Sequence, residues 1–158
     1  MTVRLETATA SDIPQIIALM REFAEYEKLL DSFETTEERL QTALFGDGRV
    51  AEALLAFDGE RAVAYAIFFP YFATFRGQRG FFLEDIFITK DYRGRGLGET
   101  ILRRIAKLAQ SRGFERIDFQ VLGWNTPAID FYEKLGAVRD DEERHFKFTD
   151  DAFRDLAG

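Results

Sequence analysis

The sequence predicts a mixed α/β (α+β) fold, a central sheet flanked by helices in a single domain spanning residues 1–158. Three observations carry this reading. Apolar residues recur at helical spacing in several stretches, and strand-like apolar runs lie between them. Two of those runs are joined at Asp58-Gly59, a dipeptide suited to a tight hairpin turn. A glycine-rich turn at 93–98 leads from an apolar strand directly into an amphipathic helix. A length of 158 residues suits one compact domain with a core of its own.

The elements follow in order. Ser11-Asp12-Ile13-Pro14 has a capping side chain and a first-turn proline, and Ile13, Ile16, Ile17, Met20, Phe23 and Ala24 continue it as a helix. Thr35 with Glu38 three residues on forms a capping box ahead of Leu40, Ala43 and Leu44, predicting a second, short helix. Residues 50–57 and 61–69 are the hairpin strands, and the polar stretch Thr74–Gly80 is expected to be a loop. Phe81–Ile88 reads as a buried strand because it is almost continuously apolar. The helix opening near Leu97 presents Ile101, Leu102, Ile105, Leu108 and Ala109 on one face and stops at Gly113. Ile117–Leu122 is the next strand. Asn125 and Pro127 then open a helix carrying Ile129, Phe131, Tyr132 and Leu135 that closes at Gly136. A final strand near His145–Phe148 and a short C-terminal helix complete the expected order.

Composition excludes several chemistries. There is no cysteine, so disulfides, thiolate metal sites and cysteine nucleophiles are all absent, which fits a reducing, cytoplasmic setting. One histidine, His145, and three serines leave almost no material for a Ser-His-Asp triad or a histidine metal centre, so no metal is expected. The first residues lack a signal-like apolar region and no run of 18 apolar residues occurs, so no membrane association is expected. The net charge of −7 argues against a nucleic-acid partner. Against that trend, Lys90–Lys107 holds six basic and two acidic residues; the segment is about +4 and the rest of the chain about −11. Such a contrast suits one small anionic ligand on the basic segment and a cationic ligand elsewhere.

The turn Arg93-Gly94-Arg95-Gly96-Leu97-Gly98 is the most informative segment. Glycines let backbone approach a ligand, and the N–H groups opening a helix attract phosphate. It is neither a Walker loop, for no Gly-Lys-Ser/Thr follows, nor a dinucleotide fingerprint, for the third glycine spacing fails. From the turn alone, an ordinary glycine-rich helix start is also possible.

The turn fits the pattern Gln/Arg-x-x-Gly-x-Gly/Ala, and here the sequence resembles the GCN5-related N-acetyltransferase (GNAT) superfamily, nearest its diamine (spermidine/spermine-type) branch. Leu83–Ile88, Asp91-Tyr92-Arg93-Gly94, Trp124-Asn125-x-Pro127, Phe131-Tyr132-x-x-x-Gly136-Ala137 and Tyr26-Glu27 all match that branch at like spacing. The resemblance runs from Arg4 to about Leu156, while a short hairpin between Phe57 and Ala62 and an acidic Asp140–Arg144 depart from it. It implies a GNAT fold and acetyl-CoA as co-substrate. The pyrophosphate would lie on Arg93, Gly94, Arg95, Gly96, Leu97, Gly98 and Glu99, the pantetheine arm along Ile86, Phe87 and Ile88, and further contacts would come from Asn125, Pro127, Ala128 and Tyr132. A homodimer acting on a small-molecule amine is implied with it.

Acetyl transfer to an amine needs a neutral amine, whose ammonium form has a pKa near ~10.4, and a proton for the departing thiolate. By resemblance Glu84 is the base, directly or through water, and Tyr132 the general acid. Glu84 and Asp85 are adjacent strand positions, so alternation places them on opposite faces and only one in the cleft. Tyr26, Glu27, Glu84, Asp85 and Asp118 are the candidates for holding a cationic amine. Simpler readings stand beside these: Glu27 as a solvated helix end, Tyr132 as a core side chain, Asn125 as an N-cap. The expected acceptor is polyamine-like or thialysine-like. Acetylation of a protein N-terminus or lysine, or a non-catalytic acyl-CoA-binding module, are the alternatives.

Overall fold

The computed structural model describes residues 2–158, which fall into two compact units divided after Gln120. The first is built on a five-stranded sheet in sequential order: β1 (Val3–Thr7), β2 (Glu52–Asp58), β3 (Arg61–Ala73), β4 (Gln78–Ile88) and β5 (Arg116–Phe119). The β1–β2, β2–β3 and β3–β4 pairs are antiparallel, and β4–β5 is parallel. The parallel pair exists because a helical crossover, α3 (Leu97–Ser111), lies between its strands.

Alternation along β2 and β3 feeds two cores. Leu55, Phe57, Tyr65 and Ile67 pack with Ile13, Ile16 and Leu19 of α1 (Ile13–Tyr26) and with Leu40 and Leu44 of α2 (Glu37–Phe45). Leu54, Ala56, Val63, Ala64, Ala66 and Phe68 join Phe81 and Leu83 of β4 and Leu97, Ile101, Ile105 and Ala109 of α3. Aromatic rings tighten both layers: Phe23 stacks on Phe87 at 5.1 Å, and Phe68 meets Phe81 edge-on at 4.8 Å.

Where β3 meets β4 the register shifts. Ala66 pairs with Ile86 and Ile67 with Asp85, but Phe68 pairs with Leu83, so Glu84 is the extra residue of a β-bulge. The bulge inverts the alternation. Leu83 belongs to the α3-side core, whereas Asp85, two residues on, bonds Tyr65 of the α1-side core. The regular alternation from which opposite faces were expected for Glu84 and Asp85 is therefore interrupted at that point, with Asp85 turned to the α1 side.

Residues 121–158 form the second unit. It contains α4 (Thr126–Lys134), opened by Asn125 with its side-chain oxygen accepting from Ala128 N and ended at Gly136 with φ 102°, and α5 (Asp150–Ala157). Three further features differ from the expected order. The edge strand β1 precedes the first expected helix, with only Val3 and Leu5 alternating inward. The β3–β4 connection is shorter than the expected loop, with strands reaching Ala73 and resuming at Gln78. No strand forms at His145–Phe148, where Phe146 and Phe148 are 87% and 64% exposed; alternation without a neighbouring strand supplies no ladder.

Candidate active site

The glycine-rich turn runs from the end of β4 into α3. Gly94 and Gly96 have φ of 73° and 78°, a left-handed backbone that strains any other residue. Apart from its own chain neighbours, no atom of the described residues lies within 4 Å of a Cβ built on either, so the turn presents bare backbone. Gly96 is the N-cap of α3, and among the described residues no side chain caps the helix. Its first-turn N–H groups and positive dipole end therefore make an anion seat that a pyrophosphate fits. Glu99, which would oppose such an anion, is paired with Arg103 at 2.6 Å.

The two arginines of the turn are braced by neighbouring groups. Arg93 donates from Nε to the Ile88 carbonyl at 2.8 Å, and its guanidinium lies 4.7 Å from the Tyr26 ring and 5.2 Å from the Phe87 ring. It thus ties the end of β4 to the end of α1. Arg95 lies 5.3 Å over the Tyr92 ring, whose hydroxyl donates to Asp58.

The strand edge beside the turn is the second component. β5 pairs with β4 only from Gly80 to Leu83. From Glu84 to Ile88, through Ile86 and Phe87, no described strand occupies that edge. Its backbone can hydrogen-bond an extended, amide-bearing arm as an added strand.

The third component is a group of carboxylates where the bulge faces the end of α1. Tyr65, 1% exposed, donates to Asp85 Oδ2 at 2.9 Å. Burial pushes the Asp85 carboxyl up to about 6, the charge of Glu84 adds to this, and the Tyr65 hydrogen bond opposes it. Glu27, immediately after α1, is also raised, first by burial and then by the charge of Asp85. Glu84 itself is exposed on the bulge. Asp85 thus interacts electrostatically with both Glu27 and Glu84, and Tyr26, 39% exposed, precedes Glu27 in sequence. Phe23, Tyr65 and Phe87 form the aromatic wall behind the group.

Asp118 is engaged differently. Both its oxygens accept from Arg116, at 2.8 and 2.9 Å, and these bonds hold its carboxyl below the ordinary range. Its charge is already answered within β5.

In the second unit, Tyr132 lies on α4 with its ring 5.2 Å from that of Phe131, and burial pushes its phenol up to about 12. Asn125 is 7% exposed and caps α4, with Pro127 and Ala128 in the first turn. Among the described residues there is no group of three or more ligating side chains able to hold a metal, and no helix long and apolar enough to cross a membrane.

Tyr65 is the residue that sequence reading missed. The available signal was a lone hydroxyl in the otherwise apolar run Ala62–Phe68, every member of which is buried.

Residues 14–137 match the model of a family described as the acetyltransferase (GNAT) family. The chain is 37% identical to the thialysine N-epsilon-acetyltransferase of Bos taurus, over 99% of this chain and 98% of that protein. It is 28% identical to the L-ornithine N5-acetyltransferase of Arabidopsis thaliana, over 98% and 87% of the two chains. An integron cassette protein from the mobile metagenome of V. cholerae has the same fold, with a TM-score of 0.83, 19% identity and coverage of 99% and 98%.

Proposed function

This chain belongs to the acetyltransferase (GNAT) family, and we propose that it transfers an acetyl group from acetyl-CoA to the primary amine of a small acceptor carrying a second positive charge. The observation that carries the choice of acceptor is the Glu27–Asp85–Glu84 group, in which the charge of Asp85 acts on Glu27 and that of Glu84 on Asp85, beside the strand edge suited to the acetyl donor. Thialysine and ornithine, named in the relatives, carry two amino groups each, and a polyamine carries at least two.

When bound, acetyl-CoA supplies an acetyl group activated as a thioester. The chain does the rest. Backbone amides from Arg93 to Glu99, including Gly94, Arg95, Gly96, Leu97 and Gly98, hold the pyrophosphate. The edge at Ile86, Phe87 and Ile88 aligns the arm, and Asn125, Pro127 and Ala128 add contacts from the start of α4. Tyr26, Glu27 and Asp85 hold the acceptor, Asp85 through an ion pair with the ammonium that does not react. Glu84, exposed on the bulge, takes the proton from the reacting ammonium, directly or through water. Tyr132 Oη donates the proton that the leaving sulfur needs; its raised pKa keeps it protonated at neutral pH, the state a donor requires. Asp118 is left to Arg116 and shapes β5.

The family match runs without a break across Gln120, which supports one acetyltransferase domain over residues 1–158. A homodimer in the cytoplasm completes the reading, supported by exposed apolar residues such as Phe146, Phe153 and Leu156 and by the lack of cysteine.

The test is an amine panel with acetyl-CoA, read by release of free thiol. Thialysine, ornithine and diaminoalkanes should be accepted, and neutral or anionic amines should not. Preference for a neutral acceptor or a protein N-terminus contradicts the choice of acceptor; no thiol release with any amine contradicts the activity.

A further inference from the structure

We infer that Tyr65 is a positioning residue for acceptor recognition: its hydroxyl fixes Asp85 so that one carboxylate oxygen is presented to the acceptor's non-reacting ammonium. The inference rests on the function proposed above and adds to it a residue from β3.

The geometry sets the argument. Tyr65 is the single hydroxyl-bearing side chain in the buried run Ala62–Phe68, and burying a hydroxyl without a partner is unfavourable. Its hydrogen bond goes to Asp85 Oδ2 at 2.9 Å, and among the described residues Tyr65 is the only donor to that carboxylate. A carboxylate can accept at both oxygens, so Oδ1 keeps its capacity for a further donor.

Asp85 needs such a brace because it follows the bulge at Glu84, where the register with β3 slips by one residue and regular alternation no longer sets its direction. The charges around it push the same way. Glu84 on its own strand and Glu27 at the end of α1 are both carboxylates, and the Arg93 guanidinium is engaged with Ile88 O, Tyr26 and Phe87. No cation of the protein is paired with Asp85 among the described residues, whereas Asp118 has Arg116. A cationic ligand suits this arrangement. The Tyr65 bond also favours the charged form of Asp85 against its burial, so the same hydroxyl sets both direction and charge.

Tyr65→Phe removes that hydroxyl and keeps the ring against Phe23 and Phe87. Calorimetry would measure the binding of 1,5-diaminopentane and of 1-aminopentane to wild-type protein, Tyr65→Phe and Asp85→Asn. Carbon-13 carboxyl NMR would follow the titration of Asp85 in the wild type and in Tyr65→Phe. The expected result is ~10-fold weaker diamine binding in Tyr65→Phe, as for loss of a hydrogen bond to a charged group, with monoamine binding changed less than ~2-fold. Asp85→Asn should lose at least as much, and the Asp85 midpoint, about 6 in the wild type, should move up in Tyr65→Phe.

Equal loss for both amines, an unmoved Asp85 midpoint, or a wild-type protein that binds no diamine overturns the assignment. The two readings fail separately. A protein that shows this binding pattern yet acetylates no amine contradicts the proposed function and leaves Tyr65 in its role. One that acetylates diamines while Tyr65→Phe binds them normally overturns Tyr65 alone.

Discussion

At the scale of single residues, burial shifts two acidic groups, Asp85 and Tyr132, that the proposed function uses. Asp85 has a folded pKa of about 6 against an ordinary 3.8, so between those values the folded protein binds more protons than the unfolded chain. Stability from this group is therefore complete below about pH 4 and is lost as pH rises through about 6. Asp85→Asn should raise the melting temperature above pH 6, worth about 1–3 kcal/mol, with the gain vanishing near pH 4. The amide oxygen can still accept from Tyr65, so packing is kept. Thermal melts across that pH range check this, and an unchanged or lower melting temperature at pH 7–8 contradicts the burden placed on Asp85. Tyr132 is the second group. Tyr132→Phe should leave the fold intact, lower kcat by ~10²-fold or more, and change acetyl-CoA affinity no more than a few-fold. Stopped-flow turnover with parallel binding measurements decides it, and near-wild-type kcat returns Tyr132 to a packing role. The proposed acid, base and ammonium anchors could be nominated from sequence because their motif words surround them. Tyr65 could not, because its partner lies 20 residues away and meets it only through the β3–β4 register.

At the scale of elements, the structure depends on how strands end. β4 leaves β5 after Leu83, carries a bulge at Glu84, pairs on with β3 to Ile88 and then turns into α3 through Gly94 and Gly96. The edge, the carboxylates Glu84 and Asp85 and the anion seat are thus made by one short stretch of chain, and Glu27 joins them from the end of α1. Gly96→Asp tests the seat, since φ of 78° disfavours a side chain there and the new carboxylate would meet the phosphates. Acetyl-CoA at 100 times its dissociation constant should stabilise the wild type by about 2.7 kcal/mol and Gly96→Asp hardly at all. An equal thermal shift in both would remove the cofactor from this turn. The strand–turn–helix unit was legible because glycine punctuation and the helical stripe of Leu97, Ile101, Ile105 and Ala109 are local signals. β1 was not, since an edge strand with two inward residues barely alternates. The bulge was not either: it exists only in the pairing of β4 with β3, and no local pattern announces it.

At the scale of the whole molecule, the two proposed ligands call for opposite charges. The chain carries −7 overall, with the basic residues of 90–107 set apart from an acidic remainder. Attraction of a diamine by such a surface is screened over ~8–10 Å at physiological salt, so kcat/KM for a diamine should fall as salt rises while kcat falls less. That net imbalance, like the absence of cysteine, was readable from composition, whereas the pairing of Asp118 with Arg116 required the fold. The central claim is that the acceptor is recognised by its second positive charge. Its most direct measurement is the ratio of kcat/KM for 1,5-diaminopentane to that for 1-aminopentane, taken with acetyl-CoA at low and physiological salt. A ratio of ~10–10² that shrinks with salt is what a charge-assisted bond to Asp85 requires. A ratio near one at both salt concentrations would contradict it.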